Sequence, residues 1–168
     1  MPNILTIKNT LLSLRGEMVF LNQAEREEYV AKGEFSLFNP TWRLFKGDNE
    51  IAQIKKKLFS WSTKYFIEGN GGEFILRRKS WSWTRKYLVL GGPLDGALVI
   101  GGFWDTSFEM TLHGRNILRG DNQIISIRDT CHVTFYDDSH QDTLAAILVA
   151  MRIDKKNEGS GSGADFGD

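Results

Sequence analysis

A short motif recurs four times in the first half of the chain: "LLSL" at 11–14, "EFSL" at 34–37, "LFSW" at 58–61 and "SWSW" at 80–83. Its serines, Ser13, Ser36, Ser60 and Ser82, stand 23, 24 and 22 residues apart. A fixed period of that size marks one supersecondary unit per repeat. A polar step and a second apolar or aromatic run follow each copy ("EMVFL", "TWRLF", "KYFI", "KYLVL"), so each unit reads as two strands. Between units stand "KGDNE" at 46–50, "GNGGE" at 69–73 and "GGPLDG" at 91–96, rich in the Gly, Asn and Asp that tolerate the positive φ of tight hairpins. These are read as turns rather than phosphate cradles. Two weaker units, "GGFWDTSFEMTL" at 101–112 and "ISIRDTCHVTFY" at 126–136, bring the expectation to six units and twelve strands.

Twelve antiparallel strands must protect their edges, and closure into a barrel abolishes edges altogether. A barrel that wide leaves an interior to be filled. The stretch "HQDTLAAILVAMRIDKK" at 140–156 fits that space: Leu144 to Met151 are consecutively apolar, with no polar stripe, as a helix buried on all sides requires. The prediction is therefore a mainly β fold, a closed antiparallel barrel of about twelve strands enclosing a C-terminal hydrophobic helix over about 140–153. Leu144, Ile147, Leu148 and Met151 should be enclosed by strands, while Ala145, Ala146 and Ala150 let strands approach closely. Ser139 and Asp142 have capping-box spacing at the helix start, and Arg152, Lys155 and Lys156 complement its dipole at the end. At about 1.5 Å per residue the segment from His140 to Ile153 covers only about 21 Å, against a hydrocarbon core of about 30 Å, so no transmembrane span is expected. One domain is expected over 1–156, followed by a flexible Gly/Ser-rich tail over 157–168.

The repeated "K-x-L-[FL]-S-[LW]" unit, clearest from Lys57 to Trp61, the "YFI" continuation at Tyr65–Ile67, and "YDD" at 136–138 leading into the hydrophobic helix together resemble the LURP-one-related group of the Tubby C-terminal-like superfamily, which also holds the phospholipid scramblases. The resemblance runs from about Ile4 to Lys155. It implies a twelve-stranded barrel around a central helix, in agreement with the count from the repeats, and it implies no shared catalytic motif that can be placed on these positions.

The 21 basic and 21 acidic residues cancel, so net charge points neither to nucleic acid nor to an acidic substrate. Their distribution is uneven. Lys55, Lys56, Lys57, Lys64, Arg77, Arg78, Lys79, Arg85 and Lys86 fall within 32 residues that contain only Glu68 and Glu73 as acids. This basic stretch is the candidate lipid- or anion-binding region; the resemblance implies phosphoinositide-type headgroups, which Tubby domains hold. Lys56 shares the parity of Ile54 and is expected at a barrel rim or bulge. The competing reading is a solvated exterior with edge-protecting lysines.

Other patterns point away from catalysis. Asp137, Asp138 and Asp142 stand where scramblases carry a calcium-binding segment, but their spacing departs from an EF-hand loop and they read as helix-capping residues. Gly159, Gly161 and Ala164 satisfy a dinucleotide-binding pattern only formally, since they follow a helix instead of joining strand to helix. The lone Cys131 excludes an internal disulfide and reads as a packed, inert thiol whose neighbour His132 faces the other way. His113, His132 and His140 lack metal-ligand spacing. Trp42, Trp61, Trp81, Trp83 and Trp104 are read as core and barrel packing. No Gly-x-Ser-x-Gly elbow, Walker loop or His-Glu-x-x-His occurs. Lys8 and Arg15 break the N-terminal apolar residues, so no signal peptide is read and the expected location is cytoplasmic, peripheral to a membrane where lipid is bound. The preferred function is a non-enzymatic module, without cofactor or metal, docking on an anionic membrane surface. The alternative is a protein-interaction or structural domain with no lipid ligand.

Overall fold

The computed structural model describes residues 3–10, 16–34, 41–57, 62–80, 83–101, 107–123 and 130–159. Twelve strands follow in chain order: β1 (Asn3–Thr10), β2 (Glu17–Leu21), β3 (Glu27–Gly33), β4 (Thr41–Lys46), β5 (Asn49–Lys57), β6 (Lys64–Gly69), β7 (Gly72–Arg78), β8 (Lys86–Leu90), β9 (Leu98–Ile100), β10 (Ser107–Leu112), β11 (Arg115–Gln123) and β12 (Thr130–Phe135). Each pairs antiparallel with its neighbours in sequence, and β1 pairs with β12, with Ile7 opposite Cys131, so the sheet closes. The fold is a mainly β, twelve-stranded antiparallel barrel with one C-terminal helix.

Period-two alternation is what makes these segments strands. In β2 the inward residues are Met18 and Phe20, in β8 Tyr87 and Val89, and in β12 Cys131, Val133 and Phe135. The second run of each of the six sequence units is indeed a strand: β2, β4, β6, β8, β10 and β12. A strand precedes each copy of the serine motif. β1, β3, β5 and β7 end before it, and in the fourth copy Ser80 and Trp83 belong to no strand; "LLSL", "LFSW" and most of the other two copies lie outside the described residues.

Antiparallel alternation gives the barrel two unlike ends. One carries the tight hairpins β2–β3, β4–β5, β6–β7, β8–β9 and β10–β11; the other carries the connections holding the serine motif. "KGDNE", "GNGGE" and "GGPLDG" fall at the hairpin end, as turns. The β10–β11 hairpin turns on His113 and Gly114, at φ 49° and 78°, the pair of left-handed residues that a two-residue hairpin needs.

The helix α1 (Gln141–Gly159) fills the barrel. Every residue from Leu144 to Met151 is at most 1% exposed, so it is covered on all faces. Polar contacts come from around the ring: Asn3 of β1 reaches Gln141, Tyr29 of β3 and Lys46 of β4 reach Asp142, and Tyr65, Arg78 and Tyr87 of β6, β7 and β8 reach Asp154. None of the helices described is long and apolar enough to cross a membrane.

Three details differ from expectation. Ser139 does not cap the helix: Asp137 accepts from the Ser139 amide at 2.9 Å and starts a 3₁₀ turn, Asp138–His140, that runs into α1. Asp142 turns instead to the barrel wall, where a phenol and an ammonium group give it charge-assisted bonds. The helix also continues past Ile153 through "DKKNE", whose lysines and glutamate favour helix, to Gly159. Finally, Trp42 is buried at 8% exposure but Trp83 is wholly exposed, at 108%, and packs in no core. Trp61, Trp81, Trp104 and the glycines of the tail beyond Gly159 lie outside the described residues.

Candidate anion-binding surface

Strand register sorts the nine basic residues of 55–86. Lys57 stands opposite Lys64, and Lys64 opposite Arg77, so three cations lie side by side across β5, β6 and β7. Their strand neighbours Tyr65 and Leu76 are fully buried inside the barrel, which turns the three basic side chains outward. Beyond this row, at the serine-motif end, the Lys79 amide donates to the Lys86 carbonyl at 2.8 Å, which sets two further cations face to face. Lys57 also lies 5.8 Å from the centre of the Phe66 ring. At the opposite end of the same strands Glu68 faces Glu73. The outer faces of β5, β6 and β7 thus carry cations toward the serine-motif end and carboxylates toward the hairpin end.

The other four basic residues do not join this outward row. Lys55 is one pair further in and bridges Glu68 at 3.6 Å. Lys56, opposite Tyr65, falls on the interior parity and is half-buried near the barrel mouth, in keeping with the expectation for it. Arg85 is half-buried and already partnered. Arg78 points into the barrel, where its guanidinium pairs with Asp154 at 3.1 Å.

That pair belongs to a buried network that sequence reasoning missed. Asp154, 3% exposed, accepts from the Tyr65 hydroxyl at 3.0 Å and from the Tyr87 hydroxyl at 2.8 Å. Burial, and then the adjacent Asp154 charge, push both phenols well above their ordinary titration range. The signal was present in the parity: Arg78 follows Phe74 and Leu76 by steps of two, and Asp154 follows Ile147 and Ala150 by seven and four. A counterpart closes the other end of α1, where the Tyr29 hydroxyl donates to Asp142 at 2.8 Å and Lys46 approaches it at 3.2 Å. Lys46 sits 5.0 Å from the Tyr29 ring centre.

Two open clefts flank the 3₁₀ turn at the hairpin end. One, of about 570 Å³, is lined by Lys46, Asn70, Gly71, Pro93 and residues 138–143; the other, of about 810 Å³, by Leu112, His113, Arg115, Asn116, Ile117 and residues 136–139. Their carboxylates are engaged within the protein. Asp137 meets His140 Nδ1 at 2.7 Å, and although burial works against it, the hydrogen bonds from His140 and Ser139 hold its carboxyl below the usual range. Asp138 accepts from Gln141 at 3.1 Å. His132 faces outward to Thr6 at 3.1 Å, while burial pushes the Cys131 thiol up to about 12.

Over residues 3–152 the chain matches the LURP-one-related family, a span that takes in all twelve strands and most of α1. The chain belongs to the LURP-one-related family. No curated protein and no solved structure matches it. In this LURP-one-related barrel Asp154, Tyr65 and Tyr87 are buried around the helix, and five of the nine basic residues of 55–86 stand on one rim.

Proposed function

We propose that this barrel is a non-enzymatic binding module that docks on anionic phospholipid surfaces, with phosphoinositide-type headgroups as its preferred ligands. One observation carries the reading: strand pairing places Lys57, Lys64 and Arg77 in a row and Lys79 against Lys86. Like charges directly opposite one another destabilise a sheet, and a surface rich in phosphate relieves that repulsion. The buried groups support the same reading, because Asp154, Tyr65 and Tyr87, with the part-buried Arg78, are engaged with one another in holding the helix. Membership of the Tubby C-terminal-like superfamily and kinship with scramblases, which the sequence resemblance implies, agree with a peripheral, cytoplasmic lipid-facing role for a single domain over 1–156.

Co-sedimentation with vesicles, with and without phosphoinositide, tests it. Binding should require anionic lipid, rise with phosphoinositide, and weaken as salt is raised from about 50 to about 500 mM, because screening shortens the reach of the rim charges. Reversing the row, Lys57→Glu with Lys64→Glu and Arg77→Glu, should abolish it. Binding that ignores both salt and the reversal would refute the electrostatic reading and leave a protein-interaction or structural role.

A further inference from the structure

We infer that Trp83 is an interfacial anchor, and that the barrel meets an anionic bilayer with its serine-motif end down. This inference rests on the lipid-docking reading and adds to it the orientation and an apolar contact. Trp83 is the most exposed large apolar side chain among the described residues, at 108%. It lies in the connection from β7 to β8, which the Lys79–Lys86 backbone bond closes, so the indole is carried between two rim cations. Ile100, the cross-strand partner of Lys86, adds a second exposed apolar group at 43%. An exposed indole in a connection bounded by two lysines suits the headgroup level of a bilayer, where the ring finds apolar contact and its N–H stays hydrated.

Charge complementarity selects the occupant. The rim offers positive charge beside the indole, and the Glu68–Glu73 pair at the far end of the same strands is repelled by the same surface. An anionic membrane therefore orients the barrel as well as attracting it. Both clefts described lie at the hairpin end, away from Trp83, and the contact inferred here is with a lipid surface.

The full chain is tested on phosphatidylcholine vesicles containing phosphatidylserine, with brominated acyl chains as quenchers. Tryptophan emission should be quenched on binding, and Trp83→Phe should remove most of the quenching even though other tryptophans remain. Trp83→Ala should weaken binding about tenfold, the scale expected for one interfacial aromatic group, and leave its salt sensitivity unchanged. If the wild-type protein binds in a salt-sensitive way but Trp83→Ala binds equally well, or Trp83→Phe is quenched like the wild type, the anchor is refuted and the electrostatic reading stands. If the wild-type protein does not bind these vesicles or their phosphoinositide-containing counterparts, the lipid reading fails and the anchor with it.

Discussion

Arg77 and Arg78 are adjacent in sequence and opposite in role. The pleat sends Arg77 outward, into a row of cations, and Arg78 inward, onto Asp154. Arg77→Ala should therefore leave urea stability nearly unchanged and weaken vesicle binding. Arg78→Ala strips one partner from a carboxylate that is 3% exposed, and should destabilise the fold by about 2–4 kcal/mol, because the remaining charge keeps only its two phenol donors. Arg78 is itself 28% exposed, which favours the lower part of that range. Equal effects of the two substitutions on stability would contradict the register. Cys131 supplies a second residue-scale test. Its thiol is 2% exposed and its titration is pushed up to about 12, so the thiolate is scarce at neutral pH. A disulfide reagent should react with it slowly at pH 8 in the native protein and promptly once urea unfolds the chain; fast native labelling would place it at the surface.

At the scale of elements, the helix and the wall were made for each other by size. Ala145, Ala146 and Ala150 on α1 are buried in one core with Ala31 and Ala52 of the wall, small residues that suit close approach, and with the larger Tyr29, Tyr65 and Tyr87. Leu148 has no exposed surface, and Leu148→Ala should cost about 2–5 kcal/mol, the range for a truncated buried leucine that leaves a cavity. Chemical denaturation measures it, and a loss under about 1 kcal/mol would contradict an enclosed helix. The wall has a tight point of its own at Gly120 of β11: a methyl group there would overlap the ring of Phe108, its partner on β10. Gly120→Ala should therefore destabilise the barrel well beyond the usual strand preference for alanine over glycine, and Phe108→Leu in the same chain should recover part of the loss.

For the whole molecule, a closed sheet around a filled interior has no independent halves. The helix needs the wall to shield its apolar faces, and the wall needs the helix to fill its interior. Both ends of α1 are held by carboxylates, Asp142 to Tyr29 and Lys46, Asp154 to Tyr65, Tyr87 and Arg78. Hydrogen exchange in the absence of lipid should thus find the amides of 144–151 as protected as those in the centres of the strands, opening only with global unfolding. A helix that exchanges early, while the strands stay protected, would show the two to be separable.

Much of this architecture was legible in the residues. The period near 23 counted strands in pairs, and the unbroken run Leu144–Met151 announced a helix covered on every side, because both features are local patterns that follow from backbone geometry. The basic stretch was legible too, as composition. What sequence could not separate was which of its members act together. Five of the nine reach one rim, and Arg78 is diverted inside, since this depends on the register across β5 to β8 and on where Asp154 comes to rest. Trp83 was read as core because tryptophan usually is. Its place in the connection between β7 and β8 leaves it in water, for burial belongs to the packed chain as a whole and not to any one segment of it.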